Sequence, residues 1–167
     1  MTLALSLEGG YLQAPFFDRA LSDEAREVRR LVWRSSDFAR SITLGEPKHA
    51  VIIALRDAFI QSGEHDWDGY KARPADPGAF VYALQFLAYL ATTTPLPEIA
   101  VDADGEVAIE WDFGPRRVFS VRIGRDGTLN YAGLVGHASF HGTELFRENI
   151  PSPVSTGIER VVGTAQL

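Results

Sequence analysis

The chain has 167 residues, of which 46% are hydrophobic and 23% charged, a composition typical of a globular protein with room for one core, so we expect a single domain over residues 1–167. The formal net charge of −6 disfavours a protein that collects nucleic acid on a basic surface. The absence of cysteine excludes disulfides, a thiol nucleophile and thiolate metal ligands.

The first predicted helix covers residues 22–42. Apolar residues recur at helical spacing along it, and acidic residues stand at its start, where the helix dipole favours them. Trp33 lies off the apolar stripe and is a candidate exposed anchor for a partner protein. The opposite face carries three arginines four residues apart, Arg26, Arg30 and Arg34. This basic ridge is either a solvated face or a contact surface for an acidic partner.

Two further helices are predicted at residues 47–62 and 77–92. Pro47 suits a first helical turn, and Gly63 can follow a last one. Asp76 can cap the second of these helices, with a proline directly after it. The stretch that follows is apolar on nearly all sides, so we expect this helix to be the most buried element.

From Ile99 onward, apolar and polar residues alternate, which indicates strands with one wet face. Short glycine-containing turns separate these stretches and fold successive strands back on one another. The sequence thus predicts a four-stranded antiparallel meander at residues 98–102, 106–113, 117–124 and 128–134. After Gly136 we expect a loop and one short helix over 154–162. The predicted fold is α+β, with three N-terminal helices packed on the four-stranded meander and a short C-terminal helix.

The segment HDWDGYKARP, residues 65–74, joins two predicted helices. Asp68-Gly69 favours a turn, because an aspartate can accept a hydrogen bond from the backbone two residues on. Trp67 and Tyr70 can bury their rings while their polar groups bind backbone partners. The segment is therefore interpreted as an anchored bend. The alternative is that these rings are exposed and dock a partner.

His137 and His141 are four residues apart, a spacing that holds a metal on a helix. Glycines flank the two histidines, so the sequence favours an ordinary loop, and we expect neither a metal site nor a cofactor. An enzymatic alternative joins four residues into one acid–base pocket, which requires hydrogen-bond reach between them: His137, His141, Asp68 and Glu110.

Two acidic patterns on the predicted sheet have simple structural interpretations. Glu110 and Asp112 are expected to form cross-strand ion pairs with arginines of the next strand, namely Arg116, Arg117 and Arg122. The run from Asp102 to Glu106 is similar to a calcium loop but lacks the glycine and glutamate positions of that motif. A hairpin turn is expected there instead.

The segment MTLALSLEGG lacks the basic residues of a secretory signal, and the apolar run at 79–91 is shorter than the roughly 20 residues of a membrane-spanning helix. With no cysteine present, we expect a cytoplasmic protein without a membrane span.

Several motifs resemble those of a family of short bacterial proteins encoded beside phage, plasmid or other mobile elements. The motifs are W-D-G-Y-x-A-x-P at 67–74, P-x-P-E-I at 95–99, D-G-E-V-A-I-E-W at 104–111, and Y-A-G-L-x-G followed by F-H-G-T at 131–143. The resemblance covers about 60% of the chain, residues 67–162. It implies a role in toxin–antitoxin, defence or counter-defence loci and transfers no catalytic residues.

These observations favour a small protein-interaction module, antitoxin-like, immunity-like or accessory to a defence system, that binds a partner protein. The expected contact residues are the exposed-ring candidates Trp33, Trp67 and Tyr70, together with the arginine ridge. A hydrolase or nuclease-like enzyme using the histidine and carboxylate set is the alternative. Mimicry of a nucleic acid ranks last, because 22 acidic residues against 16 basic ones form no concentrated stripe.

Overall fold

The computed structural model describes residues 45–163, which form three helices and a five-stranded sheet. The elements, in chain order, are α1 (Gly45–Gln61), α2 (Pro77–Tyr89), β1 (Glu98–Val101), β2 (Val107–Asp112), β3 (Arg117–Ile123), β4 (Thr128–Val135), β5 (Ala138–Leu145) and α3 (Ser152–Gly163). The predicted helix at 22–42 lies outside the described residues, as do Arg26, Trp33, Arg30 and Arg34.

The sheet is antiparallel throughout, and its strands lie side by side in chain order. Side chains on one face, which we call the helix face, are mostly buried on β2 and β3 and mostly half-buried on β4. The opposite face, which we call the open face, carries half-buried or exposed side chains. One row of cross-strand neighbours on the open face runs from β1 to β5 and consists of Glu98, Glu110, Ser120, Ala132 and His141.

The three helices form a layer on the helix face. Helix α1 packs against α2 and strand β1, α2 lies over β2 and β3, and α3 lies over β3 and β4. Phe119 is at the centre of this layer and is fully buried, which stabilises the fold by about 1.5–3 kcal/mol. Gly157 lets α3 approach this ring, because a Cβ atom at position 157 would lie 2.3 Å from it. The core is therefore shared between sheet and helices, as an α+β fold requires.

The predicted architecture of three N-terminal helices on a four-stranded meander is wrong. The sheet has a fifth strand, β5, and in residues 45–163 only two helices precede the sheet. The α+β composition and the antiparallel arrangement are confirmed. The four predicted strands agree with β1 to β4 to within one residue at each end.

Strand β5 occupies residues that the sequence assigned to a loop with two histidines. A two-residue turn, Gly136-His137, joins β4 to β5, and Gly136 has a φ of +63°. On the helix face β5 presents Phe140 between small or polar residues, so the apolar alternation that predicts a strand is weak. Glycines on the two strands, Gly133 and Gly142, leave room for the rings of Phe140 and Tyr131. Glycine here serves close packing of rings and does not mark a loop.

The helices match their predictions with small shifts at the ends. Asp76 caps α2 as expected, since its Oδ1 accepts a hydrogen bond from Gly78 N at 2.8 Å. The helix ends at Tyr89 and not at residue 92, because Leu90 adopts an extended backbone with ψ of 141°. Among the helices of residues 45–163, none is both long and apolar enough to cross a bilayer.

Candidate partner-binding site

The segment between α1 and α2 lies against the β1–β2 hairpin. Arg73 N donates to Ala103 O at 2.8 Å, and Asp76 N donates to Gly105 O at 2.9 Å. Gly105 has a φ of +84°, and a Cβ atom there would lie 2.5 Å from Pro74 O, so only glycine allows this close approach. These contacts fix the base of the bend to the end of the sheet beside edge strand β1.

Two aspartates hold the bend together from inside. Asp68 Oδ1 accepts hydrogen bonds from Tyr70 N at 2.7 Å and from Ala72 N at 3.1 Å. Asp66 Oδ1 accepts from Lys71 N at 2.6 Å, while its own backbone N–H donates to Ala72 O at 2.9 Å. This is the turn chemistry for which short acidic side chains are suited, because a carboxylate satisfies amides that the turned backbone leaves unpaired.

The backbone of the bend is in an uncommon conformation. Asp66, Gly69 and Lys71 have positive φ values of 64°, 76° and 71°. Such angles cost little for glycine and are tolerated by aspartate, but they are unfavourable for lysine. The Asp66 carboxylate bound to Lys71 N compensates for part of that cost. The bend is therefore over-determined by hydrogen bonds, as expected for a loop whose shape matters.

The two rings of the bend have different environments. The Trp67 indole N–H donates to Arg73 O at 3.0 Å, so the expected anchoring of this polar group is confirmed. The residue is 36% exposed, so its ring is not buried as expected. Tyr70 is 88% exposed, and the expectation that its ring is buried is wrong. Its backbone is tied to Asp68, which means that a fixed scaffold presents the ring to solvent. The sequence interpretation treated the two rings alike because both residue types suit anchoring.

The surroundings of the bend are acidic. The neighbouring hairpin carries Asp102, Asp104 and Glu106, all of which form ion pairs with Arg122 of β3. The shortest of these joins Arg122 Nε to Asp102 Oδ2 at 2.5 Å, an ion-pair contact without hydrogen-bond geometry. The hairpin expected for this run is confirmed by hydrogen bonds that close it, Asp102 N to Glu106 O and Gly105 N to Asp102 O.

The ion pairs expected for Glu110 and Asp112 do not form as predicted. The register places Glu110 opposite Ser120 and Asp112 opposite Val118. Arg122 instead reaches the acidic hairpin, and Arg117 donates to Val161 O at the end of α3. Asp112 accepts from Gly114 N within its own turn. The prediction named the correct strands but assumed a register that the structure does not have.

The structure does not bring the candidate acid–base residues together. Glu110 and His141 are in the same row of the open face but three strands apart, about 14 Å at ordinary strand spacing. Asp68 is in the bend at one end of the sheet. His137 is in the β4–β5 turn at the other end, where Arg116 Nη1 lies 2.8 and 2.9 Å from its two ring nitrogens. These four side chains therefore have no shared pocket.

His137 and His141, whose spacing would suit a metal only on a helix, lie in a turn and on strand β5. His141 is on the open face, whereas Glu144 has the opposite parity and is on the helix face. Within residues 45–163, no group of three or more His, Asp or Glu side chains is arranged to hold a metal ion.

Comparisons with protein-family models, with curated proteins and with solved structures found no match.

Proposed function

We propose that this protein binds a partner protein through the bend at residues 64–74, with Tyr70 and Trp67 as the contact rings. The observation that carries the proposal is the 88% exposure of Tyr70, whose own amide and that of Lys71 are both held by aspartate carboxylates. An exposed tyrosine on its own is ordinary. A tyrosine held outward by a turn with strained backbone angles and several side-chain hydrogen bonds is costly to maintain without a use.

Pre-organisation explains why such a bend suits binding. A partner that docks on a mobile loop must immobilise it, which subtracts from the binding free energy. Here the intramolecular hydrogen bonds of Asp66 and Asp68 fix the backbone before any partner arrives. Tyrosine and tryptophan also bring a large contact area with few rotatable bonds, which is why they dominate binding hot spots.

The charges near the bend suggest the chemistry of the partner surface. Three carboxylates, Glu64, Asp66 and Asp68, and two cations, Lys71 and Arg73, accompany the two rings. The hairpin beside them adds three carboxylates that share the single guanidinium of Arg122, so the region as a whole is acidic. A partner surface with arginine or lysine side chains complements this arrangement, since these cations also stack on aromatic faces. The charge disfavours direct binding of nucleic acid at this site.

The biological setting of the proposal comes from the motif resemblance and not from the geometry. The W-D-G-Y-x-A-x-P motif that is similar to a mobile-element family coincides with the bend. An antitoxin-like, immunity-like or defence-accessory role, in which the protein masks another protein in the cytoplasm, accounts for a recognition bend of this kind.

The proposal is tested with Tyr70→Ala. The protein and the variant are used to capture partners from the native host, and the affinity for the captured protein is then measured by calorimetry. We expect Tyr70→Ala to weaken binding about 30-fold or more, the loss typical of a hot-spot residue. Tyr89→Ala, at a tyrosine on α2 that is 55% exposed, is the matched control and should leave the affinity unchanged. Equal affinities for the protein and Tyr70→Ala would contradict the proposal.

A further inference from the structure

The two edges of the sheet are built differently. Strand β1 has only four residues, follows Pro95 and Pro97, and is packed against α1. Strand β5 has eight residues and contains no proline, lysine or arginine. Short strands, prolines and covering elements are the usual means of protecting a sheet edge from pairing. In residues 45–163, only β4 pairs with β5, so its outer edge has no strand partner among them.

The hydrogen-bond alternation shows which backbone groups of β5 point outward. Phe146 N donates to Gly127 O, so every second residue before Phe146 bonds to β4. The intervening residues, Ser139, His141, Thr143 and Leu145, turn their N–H and C=O groups to the outer edge. All four side chains are exposed on the open face.

We propose that two copies of this chain pair through the outer edges of β5, antiparallel, about a two-fold axis at His141. His141 then lies opposite His141 of the second copy, and Ser139 lies opposite Thr143 of the second copy. These residues carry the outward backbone groups, so the two strands bond without loss of any bond to β4. The two sheets become one continuous antiparallel sheet.

The rings on the helix face of β5 do not obstruct this register. Phe140 lies opposite Gly142 of the second copy, but its ring leans inward over Gly133, because a Cβ atom at position 133 would lie 2.3 Å from it. The space above Gly142 is taken by Tyr131 of the same chain. A two-fold axis repeats this arrangement on both sides, so neither ring stands between the two strands.

Charge complementarity supports a second copy as the occupant. The Arg160 guanidinium lies over the Phe140 ring, 4.6 Å from its centroid, and so stands on the helix face above β4 and β5. In the proposed register Glu144 lies diagonally across from Phe140 of the second copy, at a distance that long side chains span. Glu144 and Arg160 of the second copy can therefore pair, and the axis makes two such pairs. Glu144 is the sole carboxylate of β5. Few negative charges of the two strands therefore approach each other in the dimer, although the net charge of the chain is −6.

Sedimentation equilibrium of the full chain tests the proposal first. We expect a reversible monomer–dimer equilibrium at micromolar concentrations, because a single strand pair is a small interface. His141→Pro removes a backbone N–H that points to the outer edge, and it leaves the hydrogen bonds between β4 and β5 in place. This variant should shift the equilibrium towards the monomer. A full chain that stays monomeric at all concentrations overturns the proposal.

The charge pair allows a sharper test. Glu144→Arg and Arg160→Glu each place like charges together in both contacts, so each variant alone should dimerise about tenfold more weakly or worse. In an equimolar mixture the two variants form a heterodimer in which both contacts have opposite charges. The mixture should regain dimers, and loss of folding in one variant cannot produce this result. If the mixture dimerises no better than either variant, the proposed register is wrong.

Hydrogen exchange of the full chain distinguishes other occupants of the edge. Protection of the Ser139, His141 and Thr143 amides should increase with protein concentration. Protection in a monomer, independent of concentration, would show that another segment of the same chain covers β5 and would overturn the proposal.

Discussion

At the scale of single residues, two carboxylates and one glycine determine the shape of the bend. Asp66 and Asp68 bind backbone amides across the turn, and Gly105 lets the hairpin contact Pro74 O. The Asp-Gly signal at 68 and 69 predicts a turn from sequence alone. The role of Asp66 and the positive φ of Lys71 were not predicted, because they depend on a hydrogen bond five residues away in the chain.

Replacing Asp68 tests whether the carboxylate positions Tyr70. Asp68→Ala leaves Tyr70 N and Ala72 N without this acceptor, so we expect a loss of about 1–2 kcal/mol in the free energy of unfolding. It should also weaken partner binding, although the ring itself is unchanged. Asp68→Asn keeps an oxygen acceptor and should retain most of both quantities. Urea denaturation measures the free energy of unfolding, and calorimetry measures the affinity for the partner. If both are unchanged in Asp68→Ala, the positioning role is refuted.

Two glycines with similar backbone angles separate conformational strain from close contact. Gly69 has a φ of +76° with no atom near an added Cβ, whereas Gly105 has a φ of +84° and meets Pro74 O at 2.5 Å. Gly69→Ala should cost about 1–2 kcal/mol of unfolding free energy through strain alone. Gly105→Ala should cost clearly more, measured by denaturant unfolding. Equal losses of unfolding free energy in the two variants would mean that the contact between the hairpin and the bend is not tight.

The β3–β4 turn provides a pH-dependent prediction. Hydrogen bonds from the Thr128 side chain and from Thr128 N lower the pKa of Asp126. A folded pKa below the unfolded value means that the ionised group stabilises the fold at neutral pH, and that this contribution is lost as the pH falls through the folded pKa. Asp126→Asn should therefore destabilise the protein more at neutral pH than in strong acid, as followed by urea denaturation. An equal difference at both pH values would contradict this.

At the scale of elements, the sequence predicts an element best where one face of it is fully buried. Strands β1 to β4 alternate between buried and open positions, and this period of two gives their bounds nearly to the residue. Strand β5 extends beyond the helix layer, so it needs few apolar side chains and shows no clear period. Its content of glycine and histidine is typical of a loop. The same composition leaves an edge that the chain does not protect, which is the basis of the proposed pairing.

The candidate site was partly predictable for the same physical reasons. The sequence identifies the Trp67 to Tyr70 cluster as a turn with binding potential, because local residue types determine turns. It cannot give the difference between the two rings, since exposure depends on how the bend lies against the β1–β2 hairpin. Nor can it show that His141 and Glu110 are three strands apart, which depends on the register of the whole sheet.

At the scale of the whole molecule, the two proposed surfaces are at opposite edges of one sheet. The bend lies beside β1, and the pairing edge is β5, so partner binding and self-association do not compete for the same residues. A dimer through β5 would display two bends at its far ends. A partner with two binding sites would then be held with avidity, provided that the spacing matches.

Site-specific photo-crosslinking tests the central claim most directly, because it asks which residue touches the partner. A photoreactive phenylalanine derivative is placed at position 70 in one version of the full chain and at position 89 in another, and both are irradiated in the native host. The account predicts a covalent adduct with one protein species from position 70 and none from position 89. Adducts from both positions alike, or none from position 70 while the protein still captures its partner, would contradict it.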